Sequence, residues 1–316
     1  MKIVALAGGI GASKLLLGLY RVMPPANLTI IVNTGDDVEM HGLTICPDLD
    51  IVTYTLAGIV NPATGWGVDG DSFGALNFLS RFGRETWFNL GDRDLATHIH
   101  RSEMLRSGAT LSECADSIRR ALGIEAVILP MSDQPVRTQM ETEIGVLPFQ
   151  HYLVKHRAAP VVRRISVDGA DSAKPALGVM NAIVESDGIV ICPSNPLISI
   201  GPILDVRGIR EGIEARRDHV IAVSPIVGGA SLKGPSDKMM SELGLEVSAL
   251  GVARMYQKTA SRFVVDSTDA HFAPLIEQLG MSASVAQTVM RTDADKEDLA
   301  KHVLASFTRS VQHANA

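Results

Sequence analysis

Short apolar runs closed by Gly, Pro or Asn recur along the chain, and stretches with apolar residues every three to four positions separate many of them. The short runs read as strands buried on both faces, and the longer stretches as helices with one apolar stripe. The pattern predicts strands over Lys2–Ala7, Leu28–Asn33, Ala126–Leu129, Gly188–Cys192, His219–Val223 and Phe263–Asp266. It predicts helices over Ser13–Val22, Leu95–Ser107, Leu111–Leu122, Pro175–Glu185, Ile209–Arg216, Ala270–Leu279 and Asp295–Gln312. Thr110 and Glu113 have the spacing of a capping box at the start of one of them. This alternation predicts an α/β fold: a Rossmann-like, mainly parallel sheet with helices on both faces. Val136-Arg137-Thr138-Gln139-Met140 instead alternates polar with apolar, as a half-exposed antiparallel strand does. The expectation is a single catalytic domain over 1–316 with a smaller inserted region near 136–170.

The 316 residues, 46% hydrophobic and 20% charged, suffice for a large core and are too apolar for a disordered chain. Lys and Arg total 29 against 35 Asp and Glu, with no basic block, which argues against nucleic acid as a partner. Cys46, Cys114 and Cys192 are odd in number and form no Cys-x-x-Cys pair, as expected of reduced thiols in a cytoplasmic protein. No apolar run approaches the ~18 residues of a membrane span, so no membrane partner is expected. The apolar run Ile3–Ala7 falls short of the roughly 7 residues a signal peptide needs and ends in glycines, so it reads as the first strand.

Ala7-Gly8-Gly9-Ile10-Gly11-Ala12-Ser13-Lys14 joins that strand to a helical pattern. Glycines there let backbone N–H groups approach a phosphate that the helix N-terminus favours, so Gly9 and Gly11 are candidate substrate contacts. The spacing matches neither the dinucleotide fingerprint, which wants Gly or Ala where Lys14 stands, nor the Walker loop, which wants Gly at Ser13.

Between Asn33 and Asp94 the aspartates arrive in close pairs: Asp36 with Asp37, Asp48 with Asp50, Asp69 with Asp71, and Asp92 with Asp94. Such near neighbours do not share a helix face, so the pairs read as loop-end groups. Asp48 or Asp50 can equally cap a helix after Pro47. Carboxylates converging on one cleft repel unless a cation sits among them, and Mg²⁺ with substrate phosphate oxygens suits that role. His98 and His100 lie on different faces of a predicted helix and read as surface or capping residues.

Two more loops follow predicted strands: Pro193-Ser194-Asn195-Pro196 and Ser224-Pro225-Ile226-Val227-Gly228-Gly229. Ser194 and Asn195 offer groups that can bond a base, ribose or phosphate. Trp66, between Gly65 and Gly67, can stack on a flat ring or serve as a buried anchor.

These blocks together resemble the 2-phospho-L-lactate transferase family, which includes the bacterial phosphoenolpyruvate transferases of coenzyme F-420 biosynthesis. The likeness covers nearly the whole chain. It rests on Gly8-Gly9-Ile10-Gly11, Val32-Asn33-Thr34-Gly35-Asp36-Asp37, Cys46-Pro47-Asp48-Leu49-Asp50, Leu90-Gly91-Asp92-Arg93-Asp94-Leu95-Ala96-Thr97-His98, Leu129-Pro130-Met131-Ser132-Asp133, Pro193-Ser194-Asn195-Pro196 with Ser199-Ile200-Gly201-Pro202-Ile203, and Ser224-Pro225-Ile226. His41-Gly42-Leu43-Thr44-Ile45-Cys46 and Gly65-Trp66-Gly67 lean toward the bacterial branch.

The resemblance implies a Mg²⁺-dependent phosphotransferase. Its donor is a guanosine diphosphate derivative of a phosphorylated three-carbon acid, of phosphoenolpyruvyl or phospholactyl type. Its acceptor is the ribityl hydroxyl of 7,8-didemethyl-8-hydroxy-5-deazariboflavin (Fo), and GMP departs. The resemblance places Asp50 and Asn89 at the deazaflavin; some members have Lys where Asn89 stands, so that contact carries no charge here. With the glycine loop at the diphosphate, Asp37 and Asp50 are the expected metal ligands and catalytic carboxylates. A homodimer is the family expectation. The alternatives are a non-catalytic nucleotide-sugar-binding regulator of the same superfamily, which does not require the Leu-Gly-Asp-Arg-Asp block, and a nicotinamide-dependent oxidoreductase, which the imperfect fingerprint disfavours.

Overall fold

The computed structural model describes residues 1–313. Seven parallel strands form its central sheet: β1 (Ile3–Ala7), β2 (Leu28–Val32), β3 (Val127–Pro130), β4 (Gly188–Ile191), β5 (Val220–Val223), β6 (Arg262–Asp266) and β7 (Ser282–Ala286). Their spatial order is β7-β6-β5-β4-β1-β2-β3, and β1 pairs in parallel with both β2 and β4. The fold is the α/β, Rossmann-like arrangement that the strand–helix alternation predicts.

Side chains alternate between two cores. Val4, Leu6, Ile189 and Ile191 face one, against the helices Val179–Glu185, Ile209–Glu214 and Ala249–Tyr256. Ile3, Ala5, Ala7 and Val190 face the other, against α1 (Gly9–Val22), α2 (Pro47–Leu56), α4 (Leu111–Ala121) and α5 (Asp293–His313). Helix α3 (Asp92–Arg106) lies between α2 and α4 in sequence. Because both sheet faces are covered, central strands read as unbroken apolar runs, each fully buried Ile, Leu or Val contributing about 1.5–3 kcal/mol. The predicted capping box at α4 is present: Glu113 N donates to Thr110 Oγ1 at 3.2 Å, and Thr110 N to Glu113 Oε2 at 2.7 Å.

The sequence pattern missed β7 and the helices Ser236–Glu242 and Ala249–Tyr256, and offered α2 only as one reading of the segment after Pro47. Strand β7 is an edge strand of Ser, Ala and one Val, so no apolar run marks it. Helix α2 opens on Pro47, whose fixed φ suits a first helical position as well as it suits a turn. Helix α1 starts inside the glycine loop, at Gly9 rather than Ser13.

Residues 137–168 form a separate antiparallel sheet of Arg137–Thr142, Gly145–Pro148 and Val162–Asp168, with Arg137–Thr142 in the middle. Its small core joins Met140, Phe149, Tyr152 and Val162 to Ile198, which follows β4. That packing hangs this unit over the carboxyl edge of the central sheet. The segment before α3 is pinned to it: the Trp87 and His151 rings lie 4.8 Å apart, and Lys155 Nζ pairs with Glu85 at 2.7 Å.

Candidate active site

The chain leaves β1 for one side of the sheet and later returns to place β4 on β1's other side, so the connections that leave these two strands run to opposite sides of the sheet. Open α/β sheets bind ligands at such a switch point. A cavity of about 600 Å³ opens here, lined by the glycine loop, the first turn of α2 and Pro193–Asn195. The glycines are spatial requirements. A Cβ on Gly11 would sit 2.3 Å from the Pro193 carbonyl oxygen, and one on Gly8 would sit 2.7 Å from Asp48 Oδ2. Gly9 has φ +72°, the left-handed region that favours glycine.

Ser194 and Asn195 line the cavity, yet their side chains are engaged with the protein backbone. Ser194 Oγ donates to the Gly8 carbonyl at 2.9 Å, tying the β1 and β4 loops together, and Asn195 Oδ1 accepts from Leu197 N at 2.9 Å. Asp48 does not cap its own helix. Its carboxylate accepts from Gly9 N at 2.8 Å and from Asn33 Nδ2 at 2.9 Å, fixing the glycine loop against the end of β2.

One of the four aspartate pairs reaches the site with both members, and two more give it one member each. Asp36, Asp48, Asp50 and Asp94 line the cavity; Asp37 does not. The Asp37 carboxyl is buried with the Cys46 thiol donating to it at 3.1 Å, and burial pushes its pKa up to about 7 despite nearby Arg137 and Arg101. The structure therefore does not bring Asp37 to the cavity as a ligand: its carboxyl is turned to Cys46, and Asp36, in the turn before it, is the one that lines the cavity. Asp71 and Asp92 are reciprocal helix caps. Asp71 accepts from Arg93 N and Asp94 N at the start of α3, and Asp92 from Gly74 N and Ala75 N at the start of the helix Gly74–Leu79.

Helix α3 buries an entirely polar face: Asp94, His98, Arg101 and Ser102. Arg101 holds Asp50 through both guanidinium nitrogens, Nη1 reaching Asp50 Oδ2 at 3.2 Å and Nη2 reaching Oδ1. His98 lies between two carboxylates, with Nδ1 3.7 Å from Asp50 Oδ2 and Nε2 3.3 Å from Asp94 Oδ2. Tyr54 donates to Asp94 Oδ1 at 2.7 Å. Burial pushes the Asp94 carboxyl up, but His98, Tyr54 and Arg101 outweigh it and hold it below the ordinary carboxylate range. Burial likewise opposes the Arg101 charge, and Asp50 outweighs that too. His98 is thus no surface residue; of the two, His100 is the exposed one, bonded to Ser117. The spacing of Asp94, His98 and Arg101, i, i+4 and i+7, was the signal in the sequence.

Two acidic groups differ in how they suit a divalent cation. Ligand atoms of Asp50, Asp94 and His98 lie within 4.8 Å of one another, but the Arg101 guanidinium already supplies the positive charge there. Asp36 and Asp48 have no such partner among the described residues. Burial raises the Asp36 carboxyl well above its ordinary range, Asp48 adds to the rise, and Asp36 Oδ1 is buried with no hydrogen bond. That arrangement fits a hard, oxygen-seeking ion.

Trp66 and Asn89 both line the cavity, Trp66 on a turn whose flanking glycines have φ +79° and +71°. Phe88, Phe149 and Gln150, the last two from the inserted unit, complete that wall.

The model of the family described as 2-phospho-L-lactate transferase CofD matches residues 3–307. The chain belongs to this family of transferases. It is 40% identical over 304 residues to the 2-phospho-L-lactate transferase of Methanosarcina mazei, covering 96% of this chain and all of that one. It is 43% identical over 301 residues to the phosphoenolpyruvate transferase of Streptomyces griseus, covering 93% and 94%. A solved structure of a Bacillus halodurans protein shares the fold, with TM-score 0.61 at 18% identity over 96% of this chain and 99% of that one. Among the described residues of this family member, no helix is long and apolar enough to cross a membrane, and Cys46, Cys114 and Cys192 are buried free thiols.

Proposed function

We propose that the chain transfers a phosphorylated three-carbon acid from a guanosine diphosphate derivative to the ribityl hydroxyl of Fo, releasing GMP, as a step of coenzyme F-420 biosynthesis. The observation carrying this reading is that one cavity at the switch point joins the glycine loop, the Asp36–Asp48 carboxylates and an aromatic wall, in a chain of this transferase family.

In this reading the diphosphate lies against the glycine loop, whose helix N-terminus favours negative charge. The Fo ring lies along Trp66 and Phe88, with Asn89 hydrogen-bonding to it. Asp50, aligned by Arg101, accepts from the ribityl hydroxyl and aims its oxygen at phosphorus. Asp36 and Asp48, rather than Asp37 and Asp50, would hold Mg²⁺, which would supply neutralisation of phosphate charge. No strong general base is required, because a loose phosphoryl-transfer transition state draws mainly on positioning and charge neutralisation.

Purified protein is mixed with Fo, Mg²⁺ and, separately, the guanylylated forms of phosphoenolpyruvate, 2-phospholactate and 3-phosphoglycerate, and the products are weighed by mass spectrometry. A deazaflavin product heavier by the phosphorylated acid, with equimolar GMP, is the expected result. Absence of product with all three donors refutes the reading.

A further inference from the structure

The cavity is electrically divided. Its carboxylates, Asp36, Asp48, Asp50 and Asp94, belong to the β2–α2–α3 side. The remaining wall carries Lys14, Lys233 and Arg291 and no carboxylate. Resting on the transferase reading, we propose that Lys14, backed by Lys233 and Arg291, binds the phosphate of the departing GMP and stabilises the charge it gains.

Lys14 stands on α1 one turn beyond the glycine loop, half-buried, and its ammonium makes one bond, to the Met290 carbonyl at 2.9 Å. Lys233 Nζ likewise bonds only a carbonyl, that of Thr64 at 3.0 Å. Neither forms an ion pair among the described residues, although acidic side chains outnumber basic ones, 35 to 29. By contrast Lys296, which also acts on Lys14, is paired with Asp293 at 2.7 Å. Burial first, then repulsion from Lys233 and Lys296, disfavours the Lys14 charge. Lys14 and Lys233, close enough to repel one another and bonded only to carbonyls, form a preorganised anion site, which costs no rearrangement when the anion arrives.

The position of the wall selects the anion. A diphosphate seated on the glycine loop has one phosphate toward Asp36 and Asp48, where a divalent ion is needed, and the other toward Lys14. The acceptor enters on the carboxylate side, so the phosphate nearest Lys14 is the one that leaves. The hydroxyl oxygen of the acceptor bonds to the phosphorus carrying the acid. The bond from that phosphorus to the bridging oxygen breaks, its electron pair stays on the GMP phosphate, and the hydroxyl proton passes to water. The GMP phosphate gains one negative charge in this step, and Lys14 is the group placed to offset it.

The test compares wild type, K14Q, K14R and K233Q by calorimetric binding of guanosine, GMP and GDP without Mg²⁺, and by turnover. K14Q is expected to weaken GMP and GDP at least about tenfold while guanosine changes less than about twofold. K14R should stay within about threefold of wild type, and K233Q, at an exposed site where folding is not at stake, should weaken GMP by about threefold or more. Turnover in K14Q should fall at least ~10²-fold with the KM for the deazaflavin unchanged. Equal losses for guanosine and GMP in K14Q, or unaltered GMP binding in both K14Q and K233Q, would overturn the Lys14 assignment and leave the transferase reading standing. Wild-type protein that binds no guanine nucleotide would overturn both.

Discussion

Replacing Arg101 with Met tests whether the buried ion pair beneath the α2–α3 side of the cavity is what holds it in shape. Arg101 is 2% exposed and Asp50 5%, so neither is hydrated enough to stand alone. Met keeps much of the apolar stem but removes both hydrogen bonds to Asp50 and the one from Nη1 to the Thr44 carbonyl at 3.3 Å. Asp50 is then a buried carboxylate with only the His98 ring, 3.7 Å away, beside it, and Asp37 loses one of its two neighbouring cations. Breaking a buried pair from one side typically costs about 3–5 kcal/mol, and that is the loss expected for R101M. Urea unfolding followed by circular dichroism measures it for R101M, D50N and the double variant. D50N/R101M has no charge to strand, so it should recover about 2–3 kcal/mol relative to the sum of the single losses, as contacting residues do. A cost below about 1 kcal/mol for R101M, or single losses that simply add, would show that Arg101 does not organise the site.

Gly11→Ala places a methyl 2.3 Å from the Pro193 carbonyl, and since both partners are backbone the strand ends must separate. Thermal melts should show a loss of about 1–3 kcal/mol, with turnover abolished. For pH, the folded-state pKa of Asp37 is raised from the ordinary 3.8 to about 7. Its contribution is fully present below about pH 4 and is lost as pH rises through 7. Wild type should therefore lose up to about 4 kcal/mol across that window, and D37N should flatten the slope; identical profiles would refute it. D36N and D48N should each lower turnover at least ~10²-fold. Their Mg²⁺ titrations should shift to higher concentration, and added chelator should abolish wild-type turnover; an unshifted titration removes these two residues as ligands.

Strands β1, β2, β4 and β5 were legible because a strand buried on both faces has to be apolar at every position. Strand β7 was not, because at a sheet edge Ser and Ala pair their backbones as well as Val does, and nothing in the side chains records the pairing. The glycine loop was legible as a turn. What fills it was not, since Pro193, which forbids a side chain at Gly11, lies far along the chain and meets it only once β4 has docked beside β1. The aspartate pairs illustrate the same limit. Asp71 and Asp92 satisfy helix N-termini while Asp36 and Asp48 face the cavity, and all four have the same local signature of close acidic neighbours.

Helix α3 holds the signal that local motif reading passes over. Its periodic face is occupied by Asp94, His98, Arg101 and Ser102, the positions where a helix packed on a core would carry apolar residues. Burying such a face without partners costs several kcal/mol, so a helix of this kind persists only where other polar groups meet it. Asp50, Tyr54 and the Thr44 amide do so, Thr44 N donating to Ser102 Oγ at 2.8 Å. Two of those three residues stand on α2, the helix that also delivers Asp48 to the glycine loop. Helix α2 therefore couples the two halves of the cavity: its first residues hold the glycine loop and its next turn holds the polar face of α3. A change that loosens α3 should accordingly register at the glycine loop, and R101M is the variant in which that coupling is read first.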